Sequence, residues 1–207
     1  MPTMNRFKFL YPEWREVEPR AWLDHWAGLY DGGDNDEYSA LIGKQGKLSS
    51  EDFEQVGRWK EGLKPNNGSW KSGTPKAYDI WMQAKADPPE CPEQSGLAAF
   101  LDRWSERRFV AGKKGDLVLN YRFGLSRATT LLHFTSGGLY PILDSRVATA
   151  MNRLGSPVEE TIDGYLNSFC PVVSELAAVC GVSGIQGLRK LDNALFKYGA
   201  ETSFPKA

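Results

Sequence analysis

The chain has 207 residues, with 25 basic and 26 acidic side chains for a formal net charge of −1. Hydrophobic residues make up 41% and charged residues 25%, which argues against disorder and gives a chain this long enough apolar mass for a sizeable core. No apolar run approaches the length of a membrane span or a signal-peptide core, so no membrane partner is expected and the reading is cytoplasmic.

Helical periodicity dominates. Residues 19–30 place Trp22, Trp26, Leu29 and Tyr30 on one face, with Pro19 suited to a first turn. Residues 31–46 read as loop. Ser49, Ser50, Glu51 and Asp52 open a helix running to about Leu63, because serines cap and early acids meet the helix dipole. Lys64-Pro65-Asn66-Asn67-Gly68 breaks it. Further helices are predicted over 75–85, 94–110, 116–122, 126–135, 144–154, 158–180 (with Pro171 as a candidate break) and 185–198. Residues 87–92 form a stiff linker and 111–115 a turn. No long alternating pattern marks a strand. The expected fold class is therefore all-α, with room for a short hairpin in 1–18 or 40–50. The chain reads as one domain over 1–207, with a tryptophan-rich N-terminal half (residues 1–92) and a C-terminal half (residues 93–207), and as a monomer.

The three cysteines, Cys91, Cys170 and Cys180, are widely spaced with no CxxC pair, so no disulfide framework is expected. Two histidines, His25 and His133, are too few for a catalytic zinc centre, and no metal ligands are assigned. No GxSxG elbow supplies a hydrolase nucleophile. Charge is uneven along the chain. Residues 100–155 hold nine basic groups (Arg103, Arg107, Arg108, Lys113, Lys114, Arg122, Arg127, Arg146 and Arg153) against the acids Asp102, Glu106, Asp116 and Asp144. Such a stretch either meets phosphates or forms a solvated face. Of seven tryptophans, most are expected as core anchors. Trp59 and Trp70, beside Lys60 and Lys71, are also candidates to stack on a base.

Residues 123–154 are the informative segment. A tight turn, Gly124-Leu125-Ser126, leads into an amphipathic helix from Arg127 to Phe134. A glycine- and proline-containing loop, Ser136 to Pro141, is followed by Asp144-Ser145-Arg146-Val147 entering another helix. A turn at a helix start aims backbone amides outward and makes a phosphate site, and glycine permits close approach. The same turn is equally readable as an interhelical connection with Ser126 as N-cap, and Asp144 as a plain N-cap.

In order and spacing this segment resembles the helix-hairpin-helix DNA glycosylases, the superfamily of endonuclease III. Gly124, Leu125 and Ser126 match the hairpin, with serine in place of its second glycine. Asp144 and Val147 match the aspartate and its hydrophobic partner. The resemblance covers residues 123–154 alone. It implies a DNA-binding turn at Gly124, Leu125, Ser126 and Arg127, a further phosphate or positioning contact at Arg146, and a catalytic carboxylate at Asp144. It also implies double-stranded DNA as partner and a monovalent cation on the hairpin carbonyls. His133 and Tyr140 join Trp59 and Trp70 as substrate-pocket candidates, although a histidine in Leu-Leu-His-Phe is as readily a packing residue. Asn66, Asn67 and Gln83 are candidate wedges.

The chemistry fits a carboxylate. As an N-glycosidic bond breaks, the sugar becomes positive, and a carboxylate stabilises it and orients or deprotonates water. Bifunctional members carry a lysine where this chain aligns Ala128, and no lysine lies between Lys114 and Lys190, so a water-using enzyme without lyase activity is expected. Only Cys170 and Cys180 follow the segment, too few for the four-cysteine iron–sulfur cluster of endonuclease III; no cofactor beyond the hairpin cation is expected. The substrate would be a damaged base in repair or a modified viral base in antiviral defence. Two competing readings are a non-catalytic DNA-binding module and a helical protein-interaction domain.

Overall fold

The computed structural model describes residues 6–11, 15–30, 35–61, 64–66, 69–71, 75–114 and 117–202, with backbone alone at 35, 64–66, 69–71, 75–79, 111–114 and 117–119. The protein is mostly helical. It divides into two compact units, Met1–Gly32 with Pro141–Ala207 and Gly33–Tyr140, and neither boundary falls at residue 92.

In the first unit, α1 (Pro19–Gly28) buries Trp22, Leu23 and Trp26. Leu29, expected on the same face, lies beyond the helix end and is exposed. Where a short N-terminal hairpin is expected, the described residues show an antiparallel bridge between Leu10 and Glu16. α7 (Ser145–Arg153) and α10 (Gly184–Ala200) pack against each other, and α10 also packs against α1. Tyr198 receives the edges of Trp22 and Trp26 at ring distances of 5.3 and 5.2 Å. Between α7 and α10 lie α8 (Ile162–Gly164), a π-helical turn (Tyr165–Phe169) and α9 (Cys170–Val179). Pro171 does not break this run. The Cys170 amide reaches back five residues to the Tyr165 carbonyl, and the widened turn accommodates a proline that has no N–H to donate.

The second unit contains α2 (Asn35–Ile42), α3 (Ser50–Glu61), β1 (Lys64–Asn66), β2 (Ser69–Lys71), α4 (Pro75–Ala84), α5 (Leu97–Ser105), β3 (Arg108–Lys114), β4 (Leu117–Arg122) and α6 (Leu125–Thr135). Ser49 and Asp52 form a reciprocal cap on α3: Ser49 Oγ accepts from the Asp52 amide and Asp52 Oδ2 accepts from the Ser49 amide, each at 3.1 Å. Phe53, Trp81, Trp104 and Phe123 form the aromatic core, with ring distances from 4.9 Å (Trp81–Phe123) to 6.5 Å (Phe53–Phe123). Gly57 is required beneath it, since a Cβ there would lie 2.6 Å from the Trp81 ring.

The mostly helical structure is compatible with the expected all-α class, and two small antiparallel hairpins accompany the helices. The larger replaces the helix predicted over 116–122 and ends the predicted 94–110 helix at Ser105. Phe109 is buried while its neighbours Arg108 and Val110 are exposed, the alternation of a half-buried strand. Gln83 fastens this sheet edge, accepting from the Val110 amide and donating to the Val110 carbonyl, so it is a structural residue and not a wedge. Among the described residues no single helix is long and apolar enough to cross a membrane.

Candidate functional site

Phe123 and Gly124 connect β4 to α6. Their amides donate to the carbonyls of Arg107 and Ser105, at 2.8 and 3.0 Å. Gly124 adopts φ 84° and ψ 157°, a conformation that favours glycine, and nothing lies within 4 Å of where a Cβ would stand. No side chain caps α6, and the first-turn amides of Leu125, Ser126 and Arg127 take no protein acceptor among the described residues. The amides of three half-buried residues therefore stand at a helix N-terminus beside an open glycine, an arrangement that suits an anionic oxygen. One expected feature is corrected. A β-strand, not a helix, precedes the turn, so these residues do not join two helices.

The resemblance puts Arg127 at a phosphate. In the fold its Nε donates to Glu61 Oε1 at 2.6 Å and its Nη1 to the Phe123 carbonyl at 3.0 Å, with 24% of the side chain exposed. Glu61 Oε1 also accepts from the indole of Trp81 at 3.1 Å. The guanidinium thus ties α3, α4 and the start of α6 together. The carbonyls at the turn, to which the resemblance assigns a monovalent cation, accept hydrogen bonds within the protein. The Phe123 carbonyl faces a guanidinium, the Gly124 carbonyl accepts from the Ala128 amide, and the Ser126 carbonyl accepts from Thr129 and Thr130. Ala128, aligned with the bifunctional lysine, is 0% exposed, so that position packs into the core.

Ion pairs also reduce the basic stretch. Arg103 and Arg107 meet Asp87, and Arg122 meets Glu106. Arg153 donates to the carbonyls of Tyr198 and Glu201. Arg108 remains exposed on β3.

His133, Trp59 and Tyr140 come together, with Trp59 and Tyr140 half-buried. His133 is 3% exposed. Its Nδ1 lies 2.7 Å from the Tyr140 carbonyl, which can only accept, so Nδ1 carries a proton; Nε2 lies 2.8 Å from the Tyr38 hydroxyl, which donates to it in the neutral ring. Trp59 packs on Tyr38 and Phe134 at ring distances of 5.9 and 5.1 Å. Asn67 and the side chains of Asn66 and Trp70 lie outside the described residues. His133→Ala is expected to cost about 2–4 kcal/mol, because it leaves a buried hydroxyl and carbonyl without their partner and opens a cavity. Urea unfolding of the variant checks this, and a loss under ~0.5 kcal/mol would refute the bonding assigned here.

Asp144 belongs to the other unit. It N-caps α7, and its Oδ1 accepts from the amides of Arg146 and Val147, both at 3.0 Å. Buried Leu143 and Val147 flank it, and the Tyr165 hydroxyl holds the Pro141 carbonyl at 2.7 Å. The carboxylate is half-buried, on a backbone anchored on both sides. Arg146 is exposed and lies 4.4 Å over the Phe196 ring. Burial pushes the thiols of Cys170 and Cys180 up to about 11 and about 12, so neither is a thiolate at neutral pH. No family model matches the chain, and no curated protein or solved structure matches it.

Proposed function

We propose that the chain is a monofunctional DNA glycosylase with a fold of the helix-hairpin-helix glycosylase kind. It binds double-stranded DNA, takes a damaged or modified base out of the stack and hydrolyses its N-glycosidic bond, leaving an abasic site. The observation that carries this reading is the Asp144 carboxylate, fixed by two backbone amides at the start of α7. In the reaction the bond from the sugar to the base breaks, and the base leaves with the bonding pair. The Asp144 carboxylate stabilises the positive sugar and takes the proton of the water that adds to it. The order of α6, glycine-rich loop and aspartate-led α7 supports the family reading. The strand before Gly124 is a departure from the family pattern. The first-turn amides of α6 are the assigned phosphate contact.

An abasic-site assay on genomic DNAs, including phage DNAs with modified bases, tests the proposal; alkali cleavage after incubation is the expected result. Binding without product across the panel would favour a non-catalytic DNA-binding module. Salt dependence separates both from a protein-interaction domain. With several arginines held in ion pairs, roughly three to five phosphate contacts are expected, for a slope of log K on log salt of about −3 to −5. A flat dependence in fluorescence anisotropy would remove DNA as the partner.

A further inference from the structure

We propose that the β3–β4 hairpin is a basic arm that lies on the phosphate backbone of duplex DNA, with Arg108 and Arg122 as its paired contacts. The inference rests on the reading of the chain as a DNA-acting protein and concerns an element outside the family pattern. Arg108 and Arg122 stand directly opposite each other in the ladder. Both are exposed, while Phe109 beside Arg108 is buried. Cross-strand partners share a face with Cβ atoms about 4.5–5.5 Å apart, and like charges so placed destabilise a sheet. The neighbouring Arg107 shows what an arginine serving the fold does: it covers the rings of Trp104 and Phe109 at 4.9 and 5.3 Å and pairs with Asp87. Arg108 takes no carboxylate among the described residues. Arg122 gives Nη1 to Glu106 at 3.0 Å, in a pair whose side chains are 57% and 51% exposed. Such a pair is worth little in water, and among the described residues the rest of the guanidinium is open to an anion.

The arm is anchored at its base. Gln83 holds the amide and the carbonyl of Val110, and the amides of Phe123 and Gly124 hold the carbonyls of Arg107 and Ser105. A bulge between Val110 and Lys113 follows, beyond which Lys113 pairs with Val118 and Lys114 with Leu117. Bulges raise the local twist and redirect a strand. From Arg108 to Arg122 the sequence carries four basic residues, with Lys113 and Lys114 toward the free end, against the single acid Asp116. At ~3.3 Å per residue the basic positions extend over about 16–20 Å, a length over which one DNA strand presents several phosphates. A two-stranded ribbon also fits the width of the major groove. β4 ends at Arg122, two residues before Gly124, so in the chain the arm leads directly into the α6 amides already assigned to a phosphate. A membrane surface would ask for exposed aromatic or leucine side chains among the cations, whereas the exposed pair next to the arginines is Val110 and Asn120.

The test is fluorescence anisotropy of a labelled duplex of arbitrary sequence over a range of salt, so the substrate base need not be known. The double variant Arg108→Gln with Arg122→Gln is expected to bind at least about tenfold more weakly than the wild type at ~0.1 M salt. Its slope of log K on log salt is expected to be shallower by about 2, roughly 0.9 for each lost phosphate contact. Arg103→Gln, which removes a charge from the Asp87 pair of the same unit, is expected to change the slope by less than about 0.5. Thermal unfolding accompanies each variant. Because the two arginines repel each other, the double variant is expected to melt no lower than the wild type. A lower melting temperature with an unchanged slope would make the pair structural and overturn the arm. An unchanged slope with binding and melting retained overturns the arm and leaves the glycosylase reading standing. No salt-dependent binding by the wild type overturns both. Loss of binding to phosphatidylserine vesicles in the double variant, with DNA binding unchanged, would give the arm to a membrane surface and overturn it as well. A shallower slope with no excision by the wild type on any DNA supports the arm and shifts the chain to the non-catalytic module.

Discussion

Asp144→Asn is expected to lower excision by at least ~10²–10³-fold while leaving DNA binding and the fold in place. Asparagine caps a helix about as well as aspartate, because its carbonyl accepts the same amides that Asp144 Oδ1 takes from Arg146 and Val147. The substitution therefore removes charge and proton-accepting capacity without removing the cap. Asp144→Ala removes both, and is expected to cost a further ~1 kcal/mol of stability from the lost cap. Single-turnover excision on a responsive DNA, alongside thermal unfolding, separates the two effects. Equal activity in wild type and Asp144→Asn would show that the carboxylate only caps α7. The alternative source of loss, a displaced helix, is excluded if the asparagine variant melts with the wild type.

The features of the fold that were legible in the sequence are those governed by neighbours in the chain. Ser49 with Asp52 and Asp144 with Val147 announce α3 and α7 within three or four residues, because capping is a local event. α6 and α10 follow from helical periodicity in the same way. The β3–β4 hairpin also left a local trace. Leu117 to Tyr121 carries Val118 and Tyr121, residue types that favour strands, but the segment is short enough to pass for helix. The roles of the arginines were not legible. Glu61 lies 66 positions from Arg127, and Asp87 lies 16 and 20 positions from Arg103 and Arg107. A charge count along the chain cannot see pairings of that range, so the basic stretch promised more open cation than the fold leaves. The same holds for His133, whose partner Tyr38 is 95 positions away.

Gly199→Ala is expected to destabilise the protein by about 2–4 kcal/mol, a large effect for the addition of one methyl group. Gly199 lies on α10 where it crosses α7. A Cβ built there would stand 1.8 Å from the Arg146 carbonyl oxygen, 2.6 Å from its carbonyl carbon and 3.2 Å from the Ala150 amide nitrogen. All three are backbone atoms, so no rotamer change relieves the overlap and one helix must move against the other. Elsewhere in a helix the same change would stabilise by up to ~1 kcal/mol, because alanine is the better helix former. The sign of the effect is therefore set by the crossing alone. Moving α7 also moves Asp144, whose carboxylate is bonded to the first amides of that helix. A fall in melting temperature together with a loss of excision greater than the unfolded fraction explains is the expected pair of results. A variant as stable as the wild type would mean that the two helices are not in the close contact described. A variant that is destabilised but fully active per folded molecule would mean that the position of α7 does not set the position of the reacting carboxylate.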